Sequence, residues 1–517
     1  MELPSDTPAD VVAAAAAGPR VPQFDSTLGI PVVPSAGSSR PTQPSSVKSA
    51  SRLVVIGDSL SQGFQSGAVF NTDLSYPAII AYQLGWFDQF RFPRYGGPGG
   101  LPLNIELLLR TLEERFGTTT DLWEIPLALF AARGFMDQVE DYWERGPGSV
   151  APTFSAINHN LAVYGWDLRD ALTKTAASCE AAMHQPHDDA LSQIVENNGD
   201  RAALRVLPRG TDAEKHMTAF DAAAELGKEG IETLIVFLGA NNALRTVTEL
   251  RVQWSGNNFR DQDAKRDYTV WQPSHFASEY ADVLTAIRKI NAQHVILCTV
   301  PHVTIAPIAR GLGGKVETGS RYFPFYARPW VRDADFDPRR DQHITGAEAW
   351  AVDTAIDLYN NGIEQAVANA RRVGKDWHLF DVAGLLERVA SRRYIADVNA
   401  RPSWWTPYPL PKALTDLAPV PDSRFLSADG RGGRASGGLF SLDGVHPTTV
   451  AYGVLAQELV KIMSVAGVQF DSETVDFDCL VRRDALVRNP PQNLDDTLGL
   501  IGWADEHLGF LKRIFGL

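Results

Sequence analysis

A serine, a histidine and an aspartate stand in this chain where they could work as a nucleophile, a base and the acid that orients the base. The serine is Ser59, in Gly57-Asp58-Ser59-Leu60, which follows the apolar run Leu53-Val54-Val55-Ile56. Where a buried strand gives way to a loop, a hydroxyl is presented at the sheet's end. A free serine hydroxyl is a poor nucleophile at neutral pH, so it needs a base beside it. The segment Ser441-Leu442-Asp443-Gly444-Val445-His446-Pro447-Thr448 offers that base and its partner. Pro447 suits the first turn of a helix in which Val450, Ala451, Val454, Leu455, Leu459 and Ile462 recur with helical spacing. His446 then projects from the loop before that helix. Asp443 can reach around the Gly-Val turn to hold one ring nitrogen, which leaves the other for the Ser59 proton.

Two further segments offer groups that could hold an oxyanion. Asn160-Leu161-Ala162-Val163-Tyr164-Gly165 reads as a short strand ending in a glycine, whose N–H is open to a substrate oxygen. Leu234-Ile235-Val236-Phe237-Leu238-Gly239-Ala240-Asn241-Asn242 reads as a second buried strand with a side-chain amide just past its C-terminal end. In a parallel sheet such ends form the binding crevice. Each residue also has a plainer alternative. Ser59 could cap a helix, Asp443 and His446 could be a surface pair, Asn241 a turn residue and Gly165 a tight turn.

Taken together, GDSLS at Ser59, NLAVYG at Gly165, GANN at Asn241 and DGVHPT at Asp443 and His446 resemble, in order, the four blocks of the SGNH or GDSL hydrolases, a family of serine esterases and lipases. The resemblance implies Ser59 as nucleophile, His446 as base and Asp443 as its orienter. It implies an oxyanion hole made of the N–H groups of Ser59 and Gly165 and the amide of Asn241. The family more often has Asp at the position of Asn242, and Tyr164 and Trp166 flank the glycine with bulkier groups than usual.

Strand-like runs at 53–56, 160–163, 233–238, 295–300 and near Leu379-Phe380 alternate with helical stretches such as 276–293. That pattern predicts an α/β fold, a doubly wound parallel sheet with helices on both faces; the resemblance adds an SGNH-hydrolase-like, flavodoxin-like strand order. Residues 1–50, rich in Ala, Pro and Ser, predict an extended low-complexity arm. Residues 51–465 form the catalytic domain, enlarged by insertions, and 466–517 a C-terminal extension. In that extension Ile501, Ala504, Leu508, Leu511 and Phe515 mark an amphipathic helix. Trp404 and Trp405, in an aromatic and proline-rich insertion, are candidates for a substrate pocket or for packed loop structure.

The chain has 517 residues, 44% hydrophobic and 21% charged, enough for a large core. Its net charge of −14 argues against nucleic acid and against electrostatic docking to anionic lipid, and favours a neutral or cationic substrate. Cys179, Cys298 and Cys479 form no metal-like cluster. Gly96-Gly97-Pro98-Gly99-Gly100 lacks the ending of a phosphate-binding loop, so no cofactor and no metal is expected. Acidic residues precede the short apolar run at 11–17 and no stretch approaches ~20 apolar residues, which predicts a cytoplasmic protein without an integral membrane segment. The expected activity is hydrolysis of a small-molecule or lipid carboxylic ester through an acyl-enzyme. The alternatives are acyl transfer to an alcohol or sugar and, in a different class, a catalytically silent binding protein.

Overall fold

Leu53, Val54, Val55 and Ile56 are all fully buried because both sides of their strand are covered. In the computed structural model, which describes the chain except residues 22–23, 26–29, 32–48, 119–124, 155, 187–193, 495–512 and 515–517, that strand is Ser51–Gly57 (β1). β1 pairs in parallel with Ile231–Phe237 (β2), β2 with Ala292–Cys298 (β3), and β3 with Trp377–Phe380 (β4). The order across the sheet is β4-β3-β2-β1.

Residues 160–163 extend the sheet beyond β1. The N–H of Val55 donates to His159 O, that of Leu161 to Val55 O, and that of Val163 to Gly57 O, around a single parallel bridge between Val55 and Asn160. The segment, expected as a strand, forms only this bridge; it lies on the edge of β1 opposite β2, so the winding of the chain reverses between β1 and β2. Such a reversal opens a crevice at the C-terminal ends of the two strands.

Alternation along the strands divides the core. Leu53, Val55, Ile235, Phe237 and Ile296 face the helices Tyr76–Gln83 and Thr449–Ala466. Val54, Ile56, Leu234, Val236 and Leu297 face the opposite core, built from the helices Ala219–Gly227, Pro273–Ile287 and Gly346–Arg372. The expected α/β architecture, a parallel sheet with helices on both faces, is therefore present. The 346–372 helix starts at a reciprocal cap in which the Thr345 hydroxyl accepts from the Glu348 N–H and the Glu348 carboxylate accepts from the Thr345 N–H. The Thr449–Ala466 helix is long and apolar enough to cross a membrane, but 67% of it is buried within this core. Among the described residues no other helix reaches that length and apolarity.

The N-terminal segment departs from the expected extended arm. Ala9–Ala17 is a helix that rests on the 346–372 helix through Val11 and Ala15. Alanine has the highest helix propensity, and small side chains let two helices approach without a wide apolar stripe. Beyond it, the Arg20 guanidinium pairs with Glu364 and, at 3.3 Å, with Asp381, while the Arg20 N–H donates to Asp357. At the other end, Val475, Phe477 and Leu480 pack into the core of the 449–466 helix. The predicted amphipathic helix from Ile501 to Phe515 lies outside the described residues apart from Arg513 and Ile514.

Candidate active site

β1 ends at Gly57, and Asp58 then caps the single helical turn Ser59–Gln62 by accepting the Leu60 N–H at 3.0 Å. The chain reversal leaves Ser59 at the C-terminal edge of the sheet. The 441–448 loop approaches from the other side, held by the Ser441 N–H on the His446 carbonyl and the Thr448 N–H on the Leu439 carbonyl. As a result Ser59 Oγ lies 2.8 Å from Nε2 of His446, and Nδ1 of His446 lies 3.0 Å from Oδ2 of Asp443. Oδ1 of Asp443 accepts the N–H groups of Val445 and His446. Asp443 and His446 are 1% and 2% exposed, and Ser59 is 5% exposed.

The charges match this geometry. Burial pushes the Asp443 carboxyl upward, but the His446 ring and the two N–H donors outweigh it, so the group stays below the usual carboxylate range. The neighbouring Asp58 behaves oppositely. Burial pushes it up to about 7 against the Leu60 N–H and His446, and its Oδ2 has no hydrogen-bond partner.

Gly165 and Asn241 are brought to the same place by a short chain of contacts. The Tyr164 N–H donates to Gln62 Oε1, on the Ser59 turn, at 2.7 Å, and Asn241 Nδ2 donates to the Trp166 carbonyl at 2.8 Å. Gly165, with φ +75°, is the residue between those two ties. Among the described residues the N–H groups of Ser59 and Gly165 have no acceptor within the protein, and the Asn241 amide has a second hydrogen left over. The bulky neighbours do not block the site. Tyr164 turns inward to bond Asn198, and its ring packs on Phe64, which in turn packs on the His446 ring. Asn242, where the family more often has Asp, accepts the Leu168 N–H and so ties the β2 loop to the chain after Gly165.

Beside Ser59 and His446 lies an apolar cavity of about 130 Å³. Leu60, Phe237, Leu244, Val382, Leu385 and Phe440 contribute to its walls. Trp404 and Trp405, candidates for a substrate pocket or for packed loop structure, do not line it. Trp405 packs instead with Ala390, Tyr394 and Ala400, and its indole N–H is used on the Glu387 carbonyl. The helix Val382–Val389, which follows β4, supplies part of the cavity wall instead. Sequence reasoning also missed Gly67, whose N–H donates to Asp443 Oδ2 at 3.0 Å from the turn of the hairpin Phe64–Gln65 and Ala68–Val69. The signal was present in Gln65-Ser66-Gly67, a turn sequence directly after the Ser59 block.

His302 also borders this cavity but is fully engaged elsewhere, with Nδ1 on Glu387 and Nε2 on Asp357, both at 3.0 Å. Burial opposes its charge, yet Asp353 and Asp357 raise it to about 10, so it remains an imidazolium. One group of described residues, His294, Asp376 and His378, has donor atoms close enough for a metal ion. It lies at the N-terminal ends of β3 and β4, away from Ser59, and its carboxylate already bridges the two imidazoles. Comparison with protein-family profiles, with curated proteins and with solved structures finds no match to this chain.

Proposed function

We propose that this protein is a serine-dependent hydrolase of carboxylic esters, working through an acyl-enzyme and related in its chemistry and fold to the SGNH hydrolases. The observation that carries the reading is the continuous relay from Ser59 through His446 to an ionised, buried Asp443. In this reading Ser59 Oγ attacks the ester carbonyl as Nε2 of His446 takes its proton. Asp443 steadies the imidazolium that results. The N–H groups of Ser59 and Gly165 and the free hydrogen of the Asn241 amide receive the oxyanion. His446 then protonates the departing alcohol, and water enters by the same route in reverse.

The apolar cavity receives the acyl group. At about 130 Å³ it compares with the ~150 Å³ apolar cavity that holds a benzene ring, so it suits an acyl chain of about six carbons. The test is Ser59→Ala, assayed on p-nitrophenyl esters of graded chain length beside labelling of the wild-type protein by a fluorophosphonate. Turnover is expected to fall by roughly 10⁶-fold and label to appear on Ser59 alone. Undiminished turnover in the variant would rule out the mechanism.

A further inference from the structure

The segment after β3 separates two cavities. Val303 and Ala306 face the acyl cavity, whereas Thr304, Pro307 and Ala309 wall a second cavity of about 200 Å³. Among the described residues the second cavity is lined by five arginines, Arg310, Arg321, Arg392, Arg393 and Arg424, and by no acidic side chain. Four of the five are engaged by carboxylates that stand outside the lining: Asp333 on Arg310, Glu387 on Arg321, Asp353 on Arg393 and Asp422 on Arg424.

Arg392 differs from the others. Among the described residues it has no carboxylate within ion-pair distance, and its Nε has no hydrogen-bond acceptor. Its Nη2 donates to the Gly311 carbonyl at 2.7 Å, and its guanidinium lies over the Phe323 ring. Nη1 of Arg393, on a side chain only 5% exposed, likewise has no hydrogen-bond acceptor and stands 3.7 Å from Glu387. Arg392 thus adds to this cavity a positive charge that no carboxylate among the described residues pairs directly. Nearby Lys315 registers it: burial and repulsion from Arg393 and Arg392 lower its ammonium to about 8. Guanidinium N–H groups held in a partly buried cavity without acceptors match the geometry of an oxyanion.

We propose that this cavity seats the oxyanion of a small ligand, a phosphate, sulfate or carboxylate group, with Arg392 as its main contact. This is opposite in sign to the neutral or cationic substrate suggested by the net charge of −14, because the field inside one cavity is set by its own walls. The anion belongs either to the ester substrate itself, an assignment that rests on the hydrolase reading, or to a separate molecule.

Isothermal titration of the full chain with inorganic phosphate, sulfate and acetate at constant ionic strength tests the proposal. At least one of the three is expected to bind saturably at one site. Arg392→Gln is expected to weaken it by about tenfold or more, since a hydrogen bond to a charged group is lost. Arg424→Gln, on a side chain 51% exposed and tied only to Asp422, leaves the fold intact and is expected to weaken it severalfold. That variant carries the test if Arg392→Gln does not fold. Saturable binding of none of the anions, or equal binding by wild type and both variants, overturns the proposal. The source is read from kinetics. A substrate's own anion makes the bound ion a competitor of an ester carrying a carboxylate on its alcohol portion, and Arg392→Gln then raises KM for that ester alone. A separate ligand leaves KM for both the charged and the neutral ester unchanged. If wild type hydrolyses neither ester while the anion still binds, the hydrolase reading fails and the anion site stands.

Discussion

The backbone N–H of Gly67 donates to Oδ2 of Asp443 at 3.0 Å, and that same oxygen faces Nδ1 of His446. The Asp443 carboxylate is therefore fixed by a hairpin that follows Ser59 as well as by its own loop.

In the proposed mechanism Gly67 is therefore a positioning residue. Its φ is +82°, and a Cβ built there would stand 2.7 Å from the Leu103 carbonyl oxygen, so any side chain forces the hairpin to shift. Gly67→Ala is expected to lower kcat by about a hundredfold, the cost of a displacement of roughly 1 Å in a catalytic array. KM should change little, because the acyl cavity is untouched. Steady-state kinetics on a short-chain ester read the split; an unchanged kcat in folded variant shows the contact to be dispensable.

Asp58 provides a pH signature of folding. Below pH about 4 it is protonated in both folded and unfolded chains and contributes nothing. As pH rises toward about 7 the unfolded chain ionises, while the buried carboxyl keeps its proton, so its contribution to stability declines across that window and is lowest above it. Asp58→Asn keeps an oxygen for the Leu60 N–H and cannot ionise. Its stability relative to wild type is expected to rise between pH 4 and 7 and then level off. Urea unfolding at pH 4, 5.5 and 8 checks this, and a difference that does not vary with pH contradicts it.

Leu385, on the helix after β4, lines the acyl cavity. Leu385→Trp is expected to fill part of that space and shift preference toward short acyl groups. Each methylene excluded costs about 0.8 kcal/mol, or roughly fourfold in kcat/KM. The ratio of hexanoate to acetate hydrolysis measures it. A constant ratio would move the acyl group out of this cavity.

Arg20 joins the N-terminal segment to the body of the protein through Glu364, Asp357 and Asp381, and its side chain is 5% exposed. Arg20→Ala removes the guanidinium from Glu364 and Asp381, while the backbone N–H on Asp357 and the His302 ring beside it remain, and is expected to cost about 3 kcal/mol of stability. Urea unfolding at neutral pH measures the shift, and an unchanged midpoint would mean that the N-terminal helix docks without help from this cluster.

The central sheet was legible because its strands are continuous apolar runs, as strands buried on both faces must be, and the residues of the site stand directly after them. Ser59, Asn241, Asp443 and His446 could be found as chemistry-bearing groups at strand or helix ends. Contributions that depend on backbone or on distant packing left weaker signals. Gly67 acts through an N–H, and Val382 and Leu385 line the cavity only because β4 lies beside β3. The Ala9–Ala17 helix was read as an arm because its sequence lacks an apolar stripe, whereas its alanines reach a partner through smallness. For Trp404 and Trp405 the sequence left two readings open. Large aromatic side chains suit a ligand surface and a packed loop equally, and Trp405 belongs to a small satellite core, as the packed-loop reading has it.

Ser59 and His446 touch across 387 positions of sequence. Neither the strand that carries the hydroxyl nor the helix that follows the imidazole can assemble the relay alone, so a nascent chain or fragment that holds residue 59 without residue 446 has a reactive group with nothing to activate it. Under the proposed mechanism turnover reports on tertiary closure: a protease nick that lets the late loop drift from the early hairpin would silence the protein before its secondary structure is lost.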